Sequence, residues 1–328
     1  MKLKFLMAVV LIMAANLSYA ASEQPLAKHV VFLSLDGFRP DVIQLLGPAR
    51  ADAFYRMINE GASTLNARTD NDFTVTLPNH TCMITGYPVL GLNGHHVTEN
   101  SMLPKLVHDY AGRRVGSVFQ VLRDHHRQGA MLASKLKFNV FERSFPIDTV
   151  SLTDADDLKT LSLFEKISRQ HLPDFVFMHF AGTDHVGHQK GWDVSAGSDY
   201  MKEAVLLNQY LKRIMKAIEG NKQLKANTVL IVTADHGGQG KGHGDSTNPL
   251  DYTVPFMIWG KPVAKGVDLY KLNQVTRKDP LQRRVSYREE FQPIRNGDAA
   301  NLALSLLGLP AVDGSTIGNK QPLKVTKD

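Results

Sequence analysis

Aspartate and histidine occur together in two short segments whose spacing suits metal binding. Asp184 and His188 are four residues apart, so one helical turn would present both side chains on the same face. Asp235 and His236 are adjacent, and His243 follows seven residues after His236 in a glycine-rich loop. A carboxylate and an imidazole can share one metal ion. Taken alone, each pair also fits a capping Asp beside a chance His, or a structural Asp–His hydrogen bond.

An aspartate and a threonine elsewhere in the chain supply a further carboxylate and a hydroxyl. Asp36 directly follows an apolar run and, taken alone, could cap a helix. Thr76 precedes Pro78 and a helix-like run, which predicts a position near a helix N-terminus, where backbone N–H groups favour an anionic phosphate. A Thr hydroxyl becomes a nucleophile when a metal or a base lowers its effective pKa. The alternative is a plain N-terminal cap, for which Thr is well suited.

Taken together, these residues form a ligand set for two divalent metal ions. The set has three carboxylates, three imidazoles and one hydroxyl: Asp36, Asp184, Asp235, His188, His236, His243 and Thr76. Such a mix of oxygen and nitrogen donors favours zinc over manganese or magnesium. Seven ligands are too many for one tetrahedral ion. Two ions about 4 Å apart can stabilise the attacking and leaving oxygens of an in-line phosphoryl transfer.

Three apolar runs must position these residues. Runs rich in β-branched and aromatic residues occupy positions 29–35, 175–180 and 228–233, and a polar cluster follows each of them. Such runs predict strands that are buried on both faces, with ligands gathered at their carboxyl ends. Apolar spacing predicts helices over Tyr200 to Ile218 and Asp298 to Leu307. We therefore expect an α/β sandwich with a central, mostly parallel sheet flanked by helices.

Two stretches and one turn are less regular. Residues Lys137 to Lys159 show the weakest periodicity and are predicted to form an insertion over the site. Residues Lys261 to Asn296 mix Gly, Pro and charged residues, which predicts loops. After Asp235, Gly237 and Gly238 are expected to turn the chain through positive φ.

The first twenty residues predict export. Lys2 and Lys4 precede an apolar run over residues 5–15, and Ser18 and Ala20 are small. This pattern is typical of a signal peptide over residues 1–20 that is cleaved near Ala20. A membrane anchor is the alternative, but the run is shorter than the about 20 residues that span a bilayer. We expect residues 21–328 to form one catalytic domain that is periplasmic or secreted.

Composition excludes several kinds of partner. The chain of 328 residues is 43% hydrophobic and 21% charged, which is ordinary for a globular protein. Without Lys2 and Lys4 the formal charge falls from +6 to +4, and no basic cluster with interleaved aromatics predicts a nucleic-acid groove. No later run is long and apolar enough to predict a membrane span. Cys82 is the only cysteine, so no intramolecular disulfide can form.

The order of these motifs resembles the alkaline phosphatase superfamily, over about residues 29–260. The matching motifs are Asp36-Gly37, Thr76-Leu77-Pro78-Asn79-His80, Asp184-x-x-x-His188, Asp235-His236-Gly237 and Gly242-His243-Gly244. The Thr-x-Pro-Asn-His segment, followed by Thr85-Gly86-Tyr87-Pro88, is similar to the nucleotide pyrophosphatase/phosphodiesterase branch.

The resemblance implies a role for each motif. One ion would be held by Asp36, Thr76, Asp235 and His236, and the other by Asp184, His188 and His243. Thr76 would form a phospho-threonine intermediate that water then releases. Asn100 matches a phosphate-binding Asn of the branch, although its spacing is one residue longer than the pattern. The substrate would be a small phosphorylated molecule such as a nucleotide.

The expected activity is hydrolysis of phosphodiester or pyrophosphate bonds. A phosphate monoesterase or a phosphonate hydrolase would use the same site, but a monoesterase needs Arg or Lys beside the nucleophile. The sequence places no basic residue beside Thr76 with certainty, and Arg68 and Lys105 are the candidates, so a diester is favoured. A non-catalytic periplasmic zinc- or phosphate-binding protein, and transfer of the phosphoryl group to an alcohol, are further alternatives.

Three aromatic residues outside the ligand set have predicted supporting roles. His80 is expected either to orient Thr76 or a ligand, or to be a plain core residue. His179 lies inside a predicted strand and is expected in the core. Trp192 is expected to pack, with stacking on a base or an aromatic leaving group as the alternative.

Overall fold

The structure is a computed structural model that describes residues 24–327. The predicted signal peptide, residues 1–20, lies outside this range, so export remains a prediction. Within the described range, none of the helices has the length and apolar character needed to cross a bilayer.

One mixed sheet is the centre of the fold. Its strands are β1 (His29–Leu35), β2 (Ala62–Arg68), β3 (Gly129–Ala133), β4 (Thr149–Leu152), β5 (Phe175–Phe180), β6 (Thr228–Thr233), β7 (Thr253–Gly260) and β8 (Val267–Asp268). They lie side by side in the order β4-β3-β5-β1-β6-β7-β2-β8. Neighbouring strands from β4 to β6 run parallel, whereas β7 runs antiparallel to both β6 and β2. The predicted mostly parallel sheet is confirmed.

Helices cover the sheet. They are α1 (Asp41–Arg50), α2 (Asp52–Glu60), α3 (Thr76–Thr85), α4 (Val107–Ala111), α5 (Val118–Asp124), α6 (Asn139–Ser144), α7 (Asp157–Gln170), α8 (Gly182–Lys190), α9 (Asp199–Glu219), α10 (Lys222–Asn227), α11 (Pro249–Tyr252), α12 (Leu269–Leu272) and α13 (Asp298–Leu306), with a 3₁₀ helix at Leu136–Phe138. Helix α13 packs against α3 and α5, and helix α9 packs against α1, α2, α7 and α8. The predicted α/β sandwich is confirmed.

The apolar runs form the central strands because helices cover both faces of the sheet. Every residue of β5 and β6 is buried, as are all residues of β1 after His29. Removing this apolar surface from water is the main favourable contribution to folding. The three predicted strands and the two predicted helices are confirmed, and the last helix ends at Leu306 rather than Leu307.

Two local predictions were wrong. Residues Lys137 to Lys159 are not an insertion: they form α6, the sheet strand β4 and the start of α7. Because β4 is a partly exposed edge strand, it lacks the continuous apolar run of a central strand. The second error concerns Gly237 and Gly238, which do not adopt positive φ. Close packing explains these glycines, since a Cβ would lie 2.0 Å from Leu250 O or 2.4 Å from the Trp192 ring.

The stretch from Lys261 to Asn296 is mostly loop, as predicted, but it also contains the short β8 and α12.

Candidate active site

The polar clusters meet at the carboxyl ends of the parallel strands. In β1, Leu35 lies beside Phe180 of β5, and Ser34 lies beside Thr233 of β6. The residues that follow the three strands therefore emerge at one edge of the sheet. These strand ends bring Asp36, the first turn of α8 and the Asp235-His236 pair together, although they are far apart in the chain.

Gly37 lets the chain pass close to the second cluster. It adopts a φ of +67°, and a Cβ there would lie 2.9 Å from the Cα of Asp184, so only glycine fits. Its N–H donates to Asp235 Oδ1 at 3.0 Å. Its carbonyl oxygen accepts from Trp192 Nε1 and the Tyr200 hydroxyl, each at 2.8 Å. Trp192 is therefore buried and hydrogen-bonded, which agrees with the predicted packing role.

The three proposed ligand histidines share one orientation. Each Nδ1–H donates to a backbone carbonyl oxygen, which accepts only, so each Nε2 faces the site and in the neutral imidazole is the nitrogen that can bind a metal. The pairs are His188 with Lys241 O at 3.1 Å, His236 with Gly237 O at 2.8 Å and His243 with Thr74 O at 2.6 Å. Such a backbone hydrogen bond is the usual way in which proteins orient a metal-binding imidazole.

The first group of ligands, here called the inner set, is Asp36, Asp235 and His236. The Nε2 of His236 lies 3.4 Å from Asp36 Oδ1 and 3.3 Å from Asp235 Oδ2. All three side chains are fully buried. A single cation between these atoms would contact two carboxylates and one imidazole.

The second group, here called the outer set, is Asp184, His188 and His243. The Nε2 atoms of His188 and His243 lie 3.2 Å and 3.7 Å from Asp184 Oδ1, and 3.2 Å from each other. The two sets adjoin, because His236 Nε2 is 3.9 Å from Asp184 Oδ1. The structure therefore brings all six predicted carboxylate and imidazole ligands together, and His236 lies close to both groups.

Unpaired polar atoms support cation binding. Within residues 24–327, four buried atoms of these sets have no hydrogen-bond partner: Asp36 Oδ1, Asp184 Oδ1, Asp235 Oδ2 and His236 Nε2. A buried polar atom that is left unpaired is costly. Because these atoms belong to one cluster of carboxylates and imidazoles, divalent cations fit the donor set.

The pKa values of the ligands reflect this crowding of charge. Burial alone would raise the pKa of Asp36, but the charge of Lys135, the hydrogen bond from His179 and the nearby His236 hold it well below its usual value. Burial and then the charge of Asp36 raise the pKa of Asp235. Burial opposes the charged form of His236, yet Asp235 and Asp36 raise its pKa to about 9. Burial and then the charge of His236 lower the pKa of His243 to about 3.

Thr76 is the first residue of α3, as its sequence context predicts. Val75 is extended and supplies no side-chain cap, so Thr76 lies at a helix N-terminus, a position that favours an anion. The next backbone N–H, that of Leu77, donates to Asn100 Oδ1 at 3.0 Å. Asn100 therefore lies beside Thr76 despite its longer spacing in the sequence. Asn79 Nδ2 donates to Val75 O at 3.1 Å and steadies the approach to the helix.

Two histidines behind the site hold ligands in place. His179 is buried, as predicted, but it also donates from Nε2 to Asp36 Oδ2 at 2.8 Å. His80 is buried as well, with Nδ1 donating to Thr76 O at 2.8 Å and Nε2 2.8 Å from the Ser34 hydroxyl. Of the two predicted roles for His80, these contacts favour the orientation of Thr76 or a ligand, because Nδ1 bonds to Thr76 O and lies 3.5 Å from Asp235 Oδ2.

The most important residue that sequence reasoning missed is Lys135. Its Nζ lies 2.6 Å from both Asp36 Oδ2 and Asp184 Oδ2, and 3.5 Å from the Thr76 hydroxyl oxygen. One ammonium group thus contacts the inner set, the outer set and the proposed nucleophile. The available signal was its position two residues after β3, the same strand-end pattern that identified the other clusters.

The sequence placed no basic residue beside Thr76 with certainty, and the structure places Lys135 there. Neither suggested candidate takes that place: Arg68 is buried and donates to Arg283 O at 3.0 Å and to Leu281 O, and Lys105 is exposed.

Comparisons with known proteins agree with this geometry. The sequence profile of the family described as type I phosphodiesterase/nucleotide pyrophosphatase matches residues 30–261, which is well over half of the chain. GPI ethanolamine phosphate transferase 2 of Kluyveromyces lactis is 22% identical over 241 residues. These residues are 69% of this chain but 28% of that protein, so the chain spans less than a third of this relative.

Solved structures share the fold. Murine ectonucleotide pyrophosphatase/phosphodiesterase 5, solved as an inactive variant in complex with AMP, superposes with a TM-score of 0.65 at 14% identity, covering 92% of this chain and 100% of that one. A protein of the alkaline phosphatase superfamily from Vibrio parahaemolyticus gives a TM-score of 0.55 at 16% identity, covering 88% and 68%. The shared fold agrees with the family profile, which shows that the chain belongs to the type I phosphodiesterase/nucleotide pyrophosphatase family.

Proposed function

We propose that the chain, once exported, hydrolyses phosphodiester or pyrophosphate bonds of a small phosphorylated substrate through a covalent intermediate on Thr76. Family membership supports a phosphoesterase. The observation that carries the proposal is the position of Lys135, whose Nζ contacts Asp36, Asp184 and the Thr76 hydroxyl. A nucleophile at a helix N-terminus thus adjoins both ligand sets. Export is supported by the pattern of residues 1–20 alone.

Two zinc ions are part of this proposal, one held by the inner set with Thr76 and one by the outer set. The donor atoms support it, since imidazole and carboxylate without thiolate suit zinc in a catalytic site. When bound, zinc would polarise the phosphoryl oxygens and lower the pKa of the Thr76 hydroxyl and of water.

The residues of the chain position the reaction. The Thr76 hydroxyl releases its proton to solvent, and its oxygen bonds to phosphorus while the bond from phosphorus to the leaving oxygen breaks and that oxygen keeps the electron pair. Water then attacks phosphorus and loses one proton to solvent, the bond to the Thr76 oxygen breaks, and that oxygen takes up a proton from solvent to restore the hydroxyl. The N-terminus of α3, where Thr76 lies, favours the anionic phosphoryl group. Because Asn100 Oδ1 already accepts from Leu77 and Lys137, its NH₂ group is the part that can serve a phosphoryl oxygen.

Replacement of the nucleophile tests the mechanism. In the Thr76→Ala variant of the zinc-loaded protein, kcat for bis-p-nitrophenyl phosphate should fall by at least about 10³-fold, while zinc content measured on the same sample stays the same. Thr81→Ala is the matched control on α3, since its hydroxyl bonds to Leu77 O. An active Thr76→Ala variant would contradict the covalent mechanism. Zinc binding without turnover of any phosphate ester by the wild-type protein would favour the non-catalytic alternative.

Transfer to an alcohol is a second candidate, favoured by the relatives that are named ethanolamine phosphate transferases. Hydrolysis and transfer would share the Thr76 intermediate and differ in whether water or an alcohol releases it. Phosphorus NMR of the products of bis-p-nitrophenyl phosphate, with and without ethanolamine, distinguishes them. A new phosphodiester that grows with acceptor concentration would establish transfer, whereas p-nitrophenyl phosphate alone would establish hydrolysis.

A further inference from the structure

Two lysines follow β3 at the edge of the site. Lys135 directly precedes the 3₁₀ helix, and Lys137 is its second residue. Leu136 lies between them and is partly exposed. Lys135 reaches the ligand sets and Thr76. Lys137 reaches Asn100, with Nζ 2.9 Å from Oδ1 and 3.2 Å from the backbone oxygen. Both ammonium groups therefore lie around the proposed phosphoryl position.

The two lysines differ in how their charge is balanced. Lys135 has a carboxylate oxygen at 2.6 Å on each of two aspartates. Within residues 24–327, no carboxylate oxygen lies within 4.0 Å of Lys137 Nζ, the distance that defines an ion pair. Its contacts are neutral oxygens of Asn100. Burial and then the charge of Lys135 lower the pKa of Lys137 to about 8.

Asn100 connects this lysine to the nucleophile. Its Oδ1 accepts both from Lys137 Nζ at 2.9 Å and from the N–H of Leu77, the residue after Thr76, at 3.0 Å. An anion that reaches the N-terminus of α3 would therefore also come within reach of Lys137. A simple phosphodiester carries one negative charge over its two non-bridging oxygens, whereas a monoester or a pyrophosphate carries at least one more.

We propose that Lys137 binds an additional anionic oxygen of the substrate, so that the site favours pyrophosphates or phosphate monoesters over simple diesters. This inference rests on the proposed function at Thr76 and makes its substrate class more specific. Both substrate classes carry a second negative charge beside the phosphorus that Thr76 attacks. In a monoester this charge is on the transferred group, and in a pyrophosphate it is on the leaving group. A charge-assisted hydrogen bond there would add both affinity and selectivity.

Charge removal at Lys137 tests this contact. The substrates are bis-p-nitrophenyl phosphate, p-nitrophenyl phosphate and ADP, with zinc-loaded wild type, Lys137→Gln and Lys137→Arg. In Lys137→Gln, kcat/KM should fall about tenfold more for a substrate with the extra charge than for the diester, mainly through KM, and Lys137→Arg should recover much of the difference. An effect confined to p-nitrophenyl phosphate places the charge on the transferred group, and one confined to ADP places it on the leaving group. Lys202→Gln, exposed on α9, is the control.

Equal losses on all three substrates, or no loss on any, would overturn the inference while leaving the mechanism at Thr76 intact. Binding of inorganic phosphate, measured by calorimetry, tests the contact without turnover. Phosphate should bind Lys137→Gln about tenfold more weakly than wild type. Unchanged phosphate affinity would overturn the proposal even if the protein proved to be inactive on every ester.

Discussion

The inner and outer ligand sets differ in exposure and in support. Asp36, Asp235 and His236 are fully buried and directly follow the central strands β1 and β6. In the outer set, 47% of the His188 side chain is exposed. Its members belong to α8 and to a loop whose residues on either side of His243 are exposed. The inner set therefore suits fixed positioning of the nucleophile, and the outer set suits access for a leaving group and water.

Hydrogen bonds strengthen this difference. Asp36 accepts from His179, and Asp235 accepts from the N–H groups of Gly37 and His236, so rigid elements hold both inner carboxylates. Partners of this kind fix the orientation of a ligand before a metal binds. The outer histidines have one backbone hydrogen bond each, to loop carbonyls. A change in the inner set should consequently do more harm than a change in the outer set.

The largest effect is expected for Asp36→Asn. This substitution removes a charge that faces Lys135, His179 and His236 but keeps the shape of the side chain. We expect kcat/KM to fall by about 10³-fold, without recovery in excess zinc, because the inner set positions Thr76. Kinetics at increasing zinc concentration measure the effect, and circular dichroism checks the fold. Full activity in this variant would show that the inner set is not more important for catalysis than the outer set.

A smaller and reversible effect is expected for His188→Gln. Loss of one imidazole from the exposed set should weaken zinc binding there by at least about tenfold, and excess zinc should restore much of the activity. His185→Gln is the matched control on α8, because His185 is exposed and contacts Gln189. Titration of activity with zinc measures both variants. A loss in His188→Gln that zinc cannot restore would show that the outer set also positions the reaction.

The two sets should also differ in the pH dependence of zinc binding, in a way that small steps in pH can resolve. In the metal-free protein the pKa of His236 is raised to about 9, so its imidazolium persists below that pH and a metal must displace the proton. The pKa of His243 is lowered to about 3, so this ligand is already neutral. Zinc affinity of the inner set should fall about tenfold per pH unit for each displaced proton between pH 9 and 6. Calorimetry of His188→Gln in buffers of different ionisation enthalpy counts the protons; zero release would contradict this assignment.

The central strands could be predicted from short stretches of sequence because their burial requires a continuous apolar run. The runs at 29–35, 175–180 and 228–233 are buried on both faces, so almost every position is apolar. β4 was missed because an edge strand has no such requirement. Gly237 was interpreted as a turn residue, although the nearby Leu250 carbonyl explains it. Packing against a distant segment leaves no local pattern.

The sequence by itself determined the ligand types, their order and the position of Thr76 at a helix start, because each depends on residues close together in the chain. Only the tertiary structure decided what surrounds them. Lys135 and Lys137 reach Thr76 and Asn100 because β3 pairs with β5 beside β1, and strand order depends on contacts between distant segments. The preference for a diester over a monoester used the lack of a cation that could be placed beside Thr76, and the order of the strands brings Lys135 there.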